Sequence, residues 1–275
     1  MPVPTNASSI IVSNVYLPLW LVNVWKAWLW VHDLHILWAT AIEWVADHEN
    51  EISAAHVHTV QTALDKLIWA HKIHGFCDST AGVGALTHYL SPNCLATTDM
   101  DHYRELLHEE LDKYGEGDLE HVQLVSPDYV NRIIQACASP EIYWSRNYRY
   151  IREMGLKLNG QITLYFAGVM NVNNSHWVAF IIDAKSHTIN IGDSQLPCTV
   201  SNRGLPDQWH HYLEKPICAF QFWLQQSDKA AKCPGTAYTY GNLPITQQCD
   251  GSSCGIFAQN ALAAYFFPTL TLVAP

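Results

Sequence analysis

Three short stretches of this sequence carry residues whose types and order suit one reaction. Ser175-His176-Trp177-Val178-Ala179-Phe180-Ile181-Ile182-Asp183 puts a histidine at the mouth of an apolar run. Ile191-Gly192-Asp193-Ser194 puts an aspartate where the next extended run ends. Gln247-Gln248-Cys249-Asp250-Gly251-Ser252-Ser253-Cys254-Gly255-Ile256-Phe257 puts a cysteine at the opening of an apolar helix, after a Gly/Ser turn. Together they read as the site of a thiol protease. The working nucleophile of such a site is a thiolate, and an ordinary cysteine, with a pKa near ~8.5, is mostly protonated at neutral pH. A helix N-terminus favours the anion, and an adjacent imidazole forms an ion pair with it. Cys254 has the first by position and gains the second if His176 folds against it.

The remaining roles follow from the same geometry. Antiparallel pairing of 177–182 with 188–192 brings His176 and Asp193 to the same end of neighbouring strands. There Asp193 accepts the second ring N–H of His176 and fixes its tautomer. Gln248 offers a side-chain amide N–H to the developing oxyanion, beside the backbone N–H of Cys254. Gly255 has no side chain and is expected to let a substrate backbone approach.

Taken singly, each of these residues has a plainer reading. A lone His is usually a satisfied structural side chain, and a lone buried Cys is usually an inert small hydrophobe. Asp193-Ser194 alone reads as a turn. Their joint order favours the protease site. Cys249, five residues upstream of Cys254, is the rival nucleophile, but it precedes a turn rather than opening a helix. Ser252 and Ser253 read as turn residues, and no G-x-S-x-G surrounds Ser194.

H-W-x-x-x-I-I-D, a G-D-S strand end and Q-x-x-G-x-x-C-G-I, in that order, resemble the ubiquitin-like-protein protease family. These are the SUMO proteases, in the group of cysteine peptidases that includes the adenovirus protease. The resemblance covers about 160–267. It implies a papain-like, adenain-like α+β fold: a small mixed sheet flanked by helices, with no cofactor. It assigns the family's His, Asp, Gln and Cys to His176, Asp193, Gln248 and Cys254. It also implies cleavage after the C-terminal Gly-Gly of a SUMO-like modifier, the diglycine lying between two Trp rings. Trp177 matches one ring, and Trp28 is the guess for the other. Trp28-Leu29 or Asp33-Leu34-His35-Ile36 would then echo the family's N-terminal W-L-N-D motif. Two departures stand out: Ser253 occupies the place of an Asp before the Cys, and the stretch from Asp193 to Gln248 is long. Ubiquitin or NEDD8 as the modifier, a catalytically weak modifier-binding module, and acetyl transfer by the same triad are the alternatives.

The elements that must hold these residues follow from periodicity. Apolar stripes predict helices over 33–47 and over 53–74, the latter capped by Ser53 and stopped by Gly75. Gly82 and Gly84 mark a loop. Asp99 is expected to cap a helix running to about Tyr114, and Ser126-Pro127 to start another. Strands are expected at 161–167, 177–182 and 188–192, then helical segments over 206–227 interrupted by Pro216. A short extended piece follows at 238–246 and a last helix from Cys254 to about Phe267. Helices, then a small sheet, then helices make an α+β protein. The expected division is a helical, Trp-rich N-terminal region over 1–125 packed on a catalytic domain over 126–275.

Composition narrows the partners. With 49% hydrophobic and only 15% charged residues, the 275-residue chain is not a disordered one. A net charge of −10 without a basic stripe argues against nucleic acid and anionic membranes. Residues 10–31 are apolar but hold Asn14, Pro18, Asn23 and Lys26, which argues against a membrane span. The eight Cys form no C-x-x-C, and the expected compartment is intracellular, nucleus or cytoplasm, with reduced thiols. Among the fifteen His, the close pairs are His56/His58, His71/His74 and His210/His211; none completes a zinc pattern, so no metal is expected. Trp25, Trp28 and Trp44 sit among Leu and Val and are expected to pack in a core.

Overall fold

The computed structural model describes residues 9–13, 15–48, 54–68, 71–73, 75–76, 82–114, 116–195, 211–231 and 237–268. They fall into two compact units, Met1–Ser91 and Pro92–Pro275. The expected division at 125/126 therefore shifts upstream. Residues beyond Ser91 join the second unit because their helix packs on its last helix and their strand extends its sheet.

In the first unit, β1 (Ser9–Val12) and β2 (Val15–Pro18) form an antiparallel hairpin. Helix α1 (Trp20–Asp47) follows, then α2 (Ala54–Asp65). A 3-10 segment, Val83–Leu90, lies on α1. It approaches so closely that a Cβ on Gly84 would fall 2.8 Å from Leu34. The helix expected at 33–47 begins at Trp20, since nothing between Pro18 and Asp47 breaks it. Among the described residues, no helix is long and apolar enough to cross a membrane. The core is small: Ala41, Val45, Val57, Leu64 and Val83. Contrary to expectation, Trp25 and Trp28 are exposed, as are Trp20 and Trp30. A 28-residue helix with apolar residues on every side buries only the stripe its neighbours cover. Trp44 is half-buried and stacks on His48. Ser53, His74 and Trp69 lie outside the described residues.

The second unit is built on a five-stranded sheet. Its strands are β3 (Val122–Val125), β4 (Tyr165–Val172), β5 (His176–Asp183), β6 (Thr188–Gly192) and β7 (Thr239–Asn242), neighbours in that order. The two outer pairings are parallel and the two inner ones antiparallel. The helices are α3 (Thr97–Tyr114), α4 (Pro127–Ala138), α5 (Pro140–Tyr143), α6 (Arg149–Asn159), α7 (Glu214–Ala231) and α8 (Cys254–Phe266).

Strand alternation sorts the central strands between two layers. Phe166, Met170 and Val172 of β4, with Val178, Phe180 and Ile182 of β5, join the core shared with α4, α6 and α7. The opposite face of these strands meets α8, which packs on β4 and β5. Covered on both faces, β5 is buried from His176 through Ile182, which is why its sequence reads as an unbroken apolar run. Gln259 of α8 donates to the Met100 carbonyl at 3.2 Å and stitches α8 to α3.

Local chemistry accounts for several boundaries. Asp99 stands in the first turn of α3, and its carboxylate reaches back to the N–H of Ala96 at 2.8 Å. The strand expected at 161–167 starts at Tyr165 because Gln161, at φ 53°, still belongs to the turn leaving α6. Pro216 does not interrupt a helix. It occupies the first turn of α7, where its missing N–H would have had no intrahelical partner.

Candidate active site

His176 opens β5 because of the turn before it. Asn173 and Asn174 both take positive φ, 54° and 56°, the left-handed conformation that Asn tolerates better than other side chains. The turn closes the β4–β5 hairpin in the register that pairs Val172 with His176. Asp193 stands one residue beyond the end of β6, as the strand pairing predicted. His176 Nε2 lies 2.7 Å from Asp193 Oδ1, and both side chains are buried. Oδ1 also accepts the N–H of Gln195 at 2.9 Å, and Oδ2 accepts the hydroxyl of Tyr212 at 2.5 Å.

Cys254 is the first residue of α8 and is fully buried. The turn presenting it is organised by Asp250. That carboxylate accepts the N–H groups of Ser252 and Ser253, each at 2.8 Å, and the Ser253 hydroxyl at 2.6 Å. The turn thus holds a carboxylate three residues before Ser253, the position where the resemblance places an Asp. With its hydroxyl committed to Asp250, Ser253 makes no side-chain cap, and α8 keeps its N-terminal dipole for the sulfur. The N–H of Trp177 also points at Cys254 Sγ, at 3.5 Å.

The electrostatics follow from this packing. Burial pulls the His176 ring down, but hydrogen bonding and charge from Asp193 and Cys254 outweigh it and push the pKa up to about 9. Burial pushes the Cys254 thiol up, yet His176 and the N–H groups of Trp177 and Gly255 hold it below the ordinary thiol value. Burial likewise opposes ionisation of Asp193, but His176, Tyr212 and the Gln195 N–H keep its pKa depressed. With Nε2 of His176 directed to Asp193, the buried Nδ1 is the ring nitrogen left to interact with Cys254. The arrangement favours a thiolate–imidazolium pair backed by a carboxylate.

Gln248 is half-buried, and both ends of its amide are held. Ser194 donates its hydroxyl to Oε1 at 2.6 Å, and Nε2 donates to the Asp250 carbonyl at 2.7 Å. The main chain adds the Gln248 N–H on the Ser194 carbonyl at 3.0 Å. Nε2 carries two hydrogens, so one remains beyond the bond to Asp250. Ser194, read from sequence as part of a turn, is a buried strut for Gln248.

Trp177 is 2% exposed and donates its indole N–H to the Leu95 carbonyl at 2.8 Å. Gly255 differs from expectation. A Cβ there would meet Met100 at 2.9 Å, Trp177 at 3.2 Å and Leu95 at 3.3 Å, so its missing side chain lets α8 pack against α3 and Trp177. Trp28 belongs to the first compact unit, so the motif echo around it is not part of the unit holding this site. Cys249 is exposed in the turn before α8. The five described cysteines are free thiols. Among the described residues, no three His, Cys, Asp or Glu side chains gather as metal ligands. His74 and His210 lie outside those residues. Tyr212 escaped the sequence reading altogether, since nothing local to it links it to Asp193, nineteen positions away.

Comparison with known proteins follows the same outline. Two solved structures share the fold: the SUMO protease Ulp1 with its catalytic cysteine oxidised to a sulfenic acid, and the C-terminal Ulp1 protease domain in complex with Smt3, the yeast orthologue of SUMO. The first is 17% identical with a TM-score of 0.52, the second 18% with 0.50, and each match covers 78% of this chain and 84% of the other. No curated protein sequence matches the chain. Residues 93–271 match the Ulp1 protease family, C-terminal catalytic domain, a span that begins two residues past the boundary between the compact units. The chain belongs to the Ulp1 family of SUMO-protease-type cysteine peptidases, and its second compact unit is the catalytic domain.

Proposed function

We propose that this protein cleaves after the C-terminal Gly-Gly of a SUMO-like modifier, both as a processing peptidase and as an isopeptidase. The observation that carries the reading is the hydrogen bond of His176 to Asp193 beside Cys254 at the start of α8. Membership of the Ulp1 family supports it, as does the fold shared with the domain solved in complex with Smt3.

The chemistry then runs through named atoms. The Cys254 thiolate adds to the carbonyl carbon of the terminal Gly. The Cys254 N–H and the second amide hydrogen of Gln248 stabilise the oxyanion. The C–N bond breaks as the His176 imidazolium gives its proton to the departing amine, leaving a thioester on Cys254. His176, now neutral, takes a proton from water, whose oxygen attacks the thioester. The carboxylate product leaves, and the thiolate–imidazolium pair is restored. Asp193 orients the ring throughout and stabilises its charge.

Trp177 provides one wall for the diglycine, which a flat aromatic surface accepts and bulkier residues do not. The second unit holds three other tryptophans: Trp144 is exposed, Trp223 is buried, and Trp209 lies outside the described residues. The substrates of this reading are modifier conjugates of the nucleus or cytoplasm. The test is Cys254→Ala, assayed on a SUMO precursor and on a SUMO conjugate. Loss of cleavage by at least ~10³-fold with an unchanged melting temperature is expected. Processing at the wild-type rate by this variant would overturn the proposal.

A further inference from the structure

Asp193 is a buried carboxylate with two oxygens to satisfy. Oδ1 accepts His176 and the Gln195 N–H, while the hydroxyl of Tyr212 lies 2.5 Å from Oδ2. Without a donor on Oδ2, a buried anionic oxygen would lack a hydrogen bond, and the carboxylate charge would bear more fully on His176. Tyr212 is itself well fixed. It sits in the 3-10 turn His211–Leu213 that leads into α7, next to the fully buried Leu213. Its ring also meets the His176 ring edge-on, with centroids 5.9 Å apart.

We infer that Tyr212 is a positioning residue for the proposed reaction, acting through Asp193 by sharing the carboxylate charge that bears on His176. This inference rests on the thiol-protease reading of the site. A donor on Oδ2 draws charge from the carboxylate, so Asp193 pulls less strongly on the imidazolium than it would alone. The ionisable groups around Tyr212 and Asp193 are His176 from β5 and Cys254 from α8. His211, Glu214 and Lys215 flank Tyr212 in its own segment. These three are exposed, and His211 pairs with Glu214 at 3.5 Å, so solvent screens them.

The experiment compares the full chain with Tyr212→Phe. It follows kcat and KM on a SUMO precursor, and the pH dependence of Cys254 alkylation by iodoacetate, located by peptide mass spectrometry. Iodoacetate is an anion, so its reaction slows when the imidazolium beside the thiolate loses its charge. In the variant, kcat is expected to fall about tenfold with little change in KM. The alkaline limb of alkylation is expected to move up by about half a pH unit. A folded variant whose limb stays in place, or moves down, overturns the inference. A second variant guards against misfolding: 3,5-difluorotyrosine at position 212 keeps the ring and is a stronger donor. It is expected to move the limb down, and no movement counts equally against the inference. Alkylation needs no modifier. A shifted limb in a protein that processes no modifier would therefore retain Tyr212's role and reject the substrate. An unmoved limb with intact processing would do the reverse.

Discussion

Along α1 of the first unit, Trp20, Trp25, Trp28 and Trp30 stand 45–62% exposed. In the second unit, Trp177 and Trp223 are buried, and each indole N–H reaches a main-chain carbonyl, Leu95 at 2.8 Å and Ile151 at 3.0 Å. The same residue type meets two fates because the neighbours differ. A central strand such as β5 is covered on both faces, so side chains pointing either way find partners. A long helix packed within its unit on one 3-10 segment and the end of a hairpin has a single covered stripe. Chemistry needs the former environment, since a site held to fractions of an ångström requires packed support on every side. His176, Asp193 and Cys254 all stand where elements of the second unit begin or end against that support.

Mutation can break or sharpen this contrast. Trp223→Ala should destabilise the protein by about 3–5 kcal/mol, because it empties a site bordered by Phe166 and Tyr129 and removes the indole hydrogen bond to the Ile151 carbonyl. Chemical denaturation monitors it. Gln248→Ala should lower kcat by about 10²-fold with a smaller change in KM, the signature of an oxyanion donor. A variant with unchanged kcat would leave Gln248 as a structural link between Ser194 and Asp250.

The activity should also show a defined pH window. The proposed mechanism needs Cys254 deprotonated and His176 protonated. Cys254 is held below the ordinary thiol value, so the acid limb lies below that value. His176 loses its proton as pH rises through about 9, so activity falls there and is down roughly tenfold one unit higher. An alkaline limb near the ordinary imidazole value would contradict the coupling to Asp193. The smallest effect is expected from Trp28→Gln. As an exposed position, it should change stability by no more than about 0.5 kcal/mol. A loss comparable to Trp223→Ala would erase the distinction between the two units.

Much of the candidate site's placement was legible because its members carry their context with them. His176 precedes an apolar run, Asp193 ends the next strand, and Cys254 opens a helix after a Gly/Ser turn. Each position is set by local periodicity and turn chemistry. Tyr212 had no such signal, since only the folded chain brings its hydroxyl to Asp193. Ser194 was visible as a neighbour of Asp193, but the direction of its hydroxyl is a three-dimensional fact. Gly255 was noticed for the right property and the wrong reason: the space it leaves is taken by Met100, Trp177 and Leu95.

The fold shows the same division. The central strands and α8 were readable, whereas β3, four residues long, is too short for alternation to register. The apolar texture of α1 indicated a helix, but which side would be covered depended on partners that periodicity does not name. The position of the division between units was not legible, because α3 and β3 join the catalytic domain through contacts with α8 and β4, which lie far along the chain.

The most direct test of the central claim is covalent capture by SUMO carrying an electrophile in place of its C-terminal carboxylate. Incubation with the full chain, followed by peptide mass spectrometry, should give a single adduct on the Cys254 sulfur. That adduct should be absent in His176→Ala at neutral pH. An adduct on Cys249, or tight binding of the probe with Cys254 unmodified, would contradict the account.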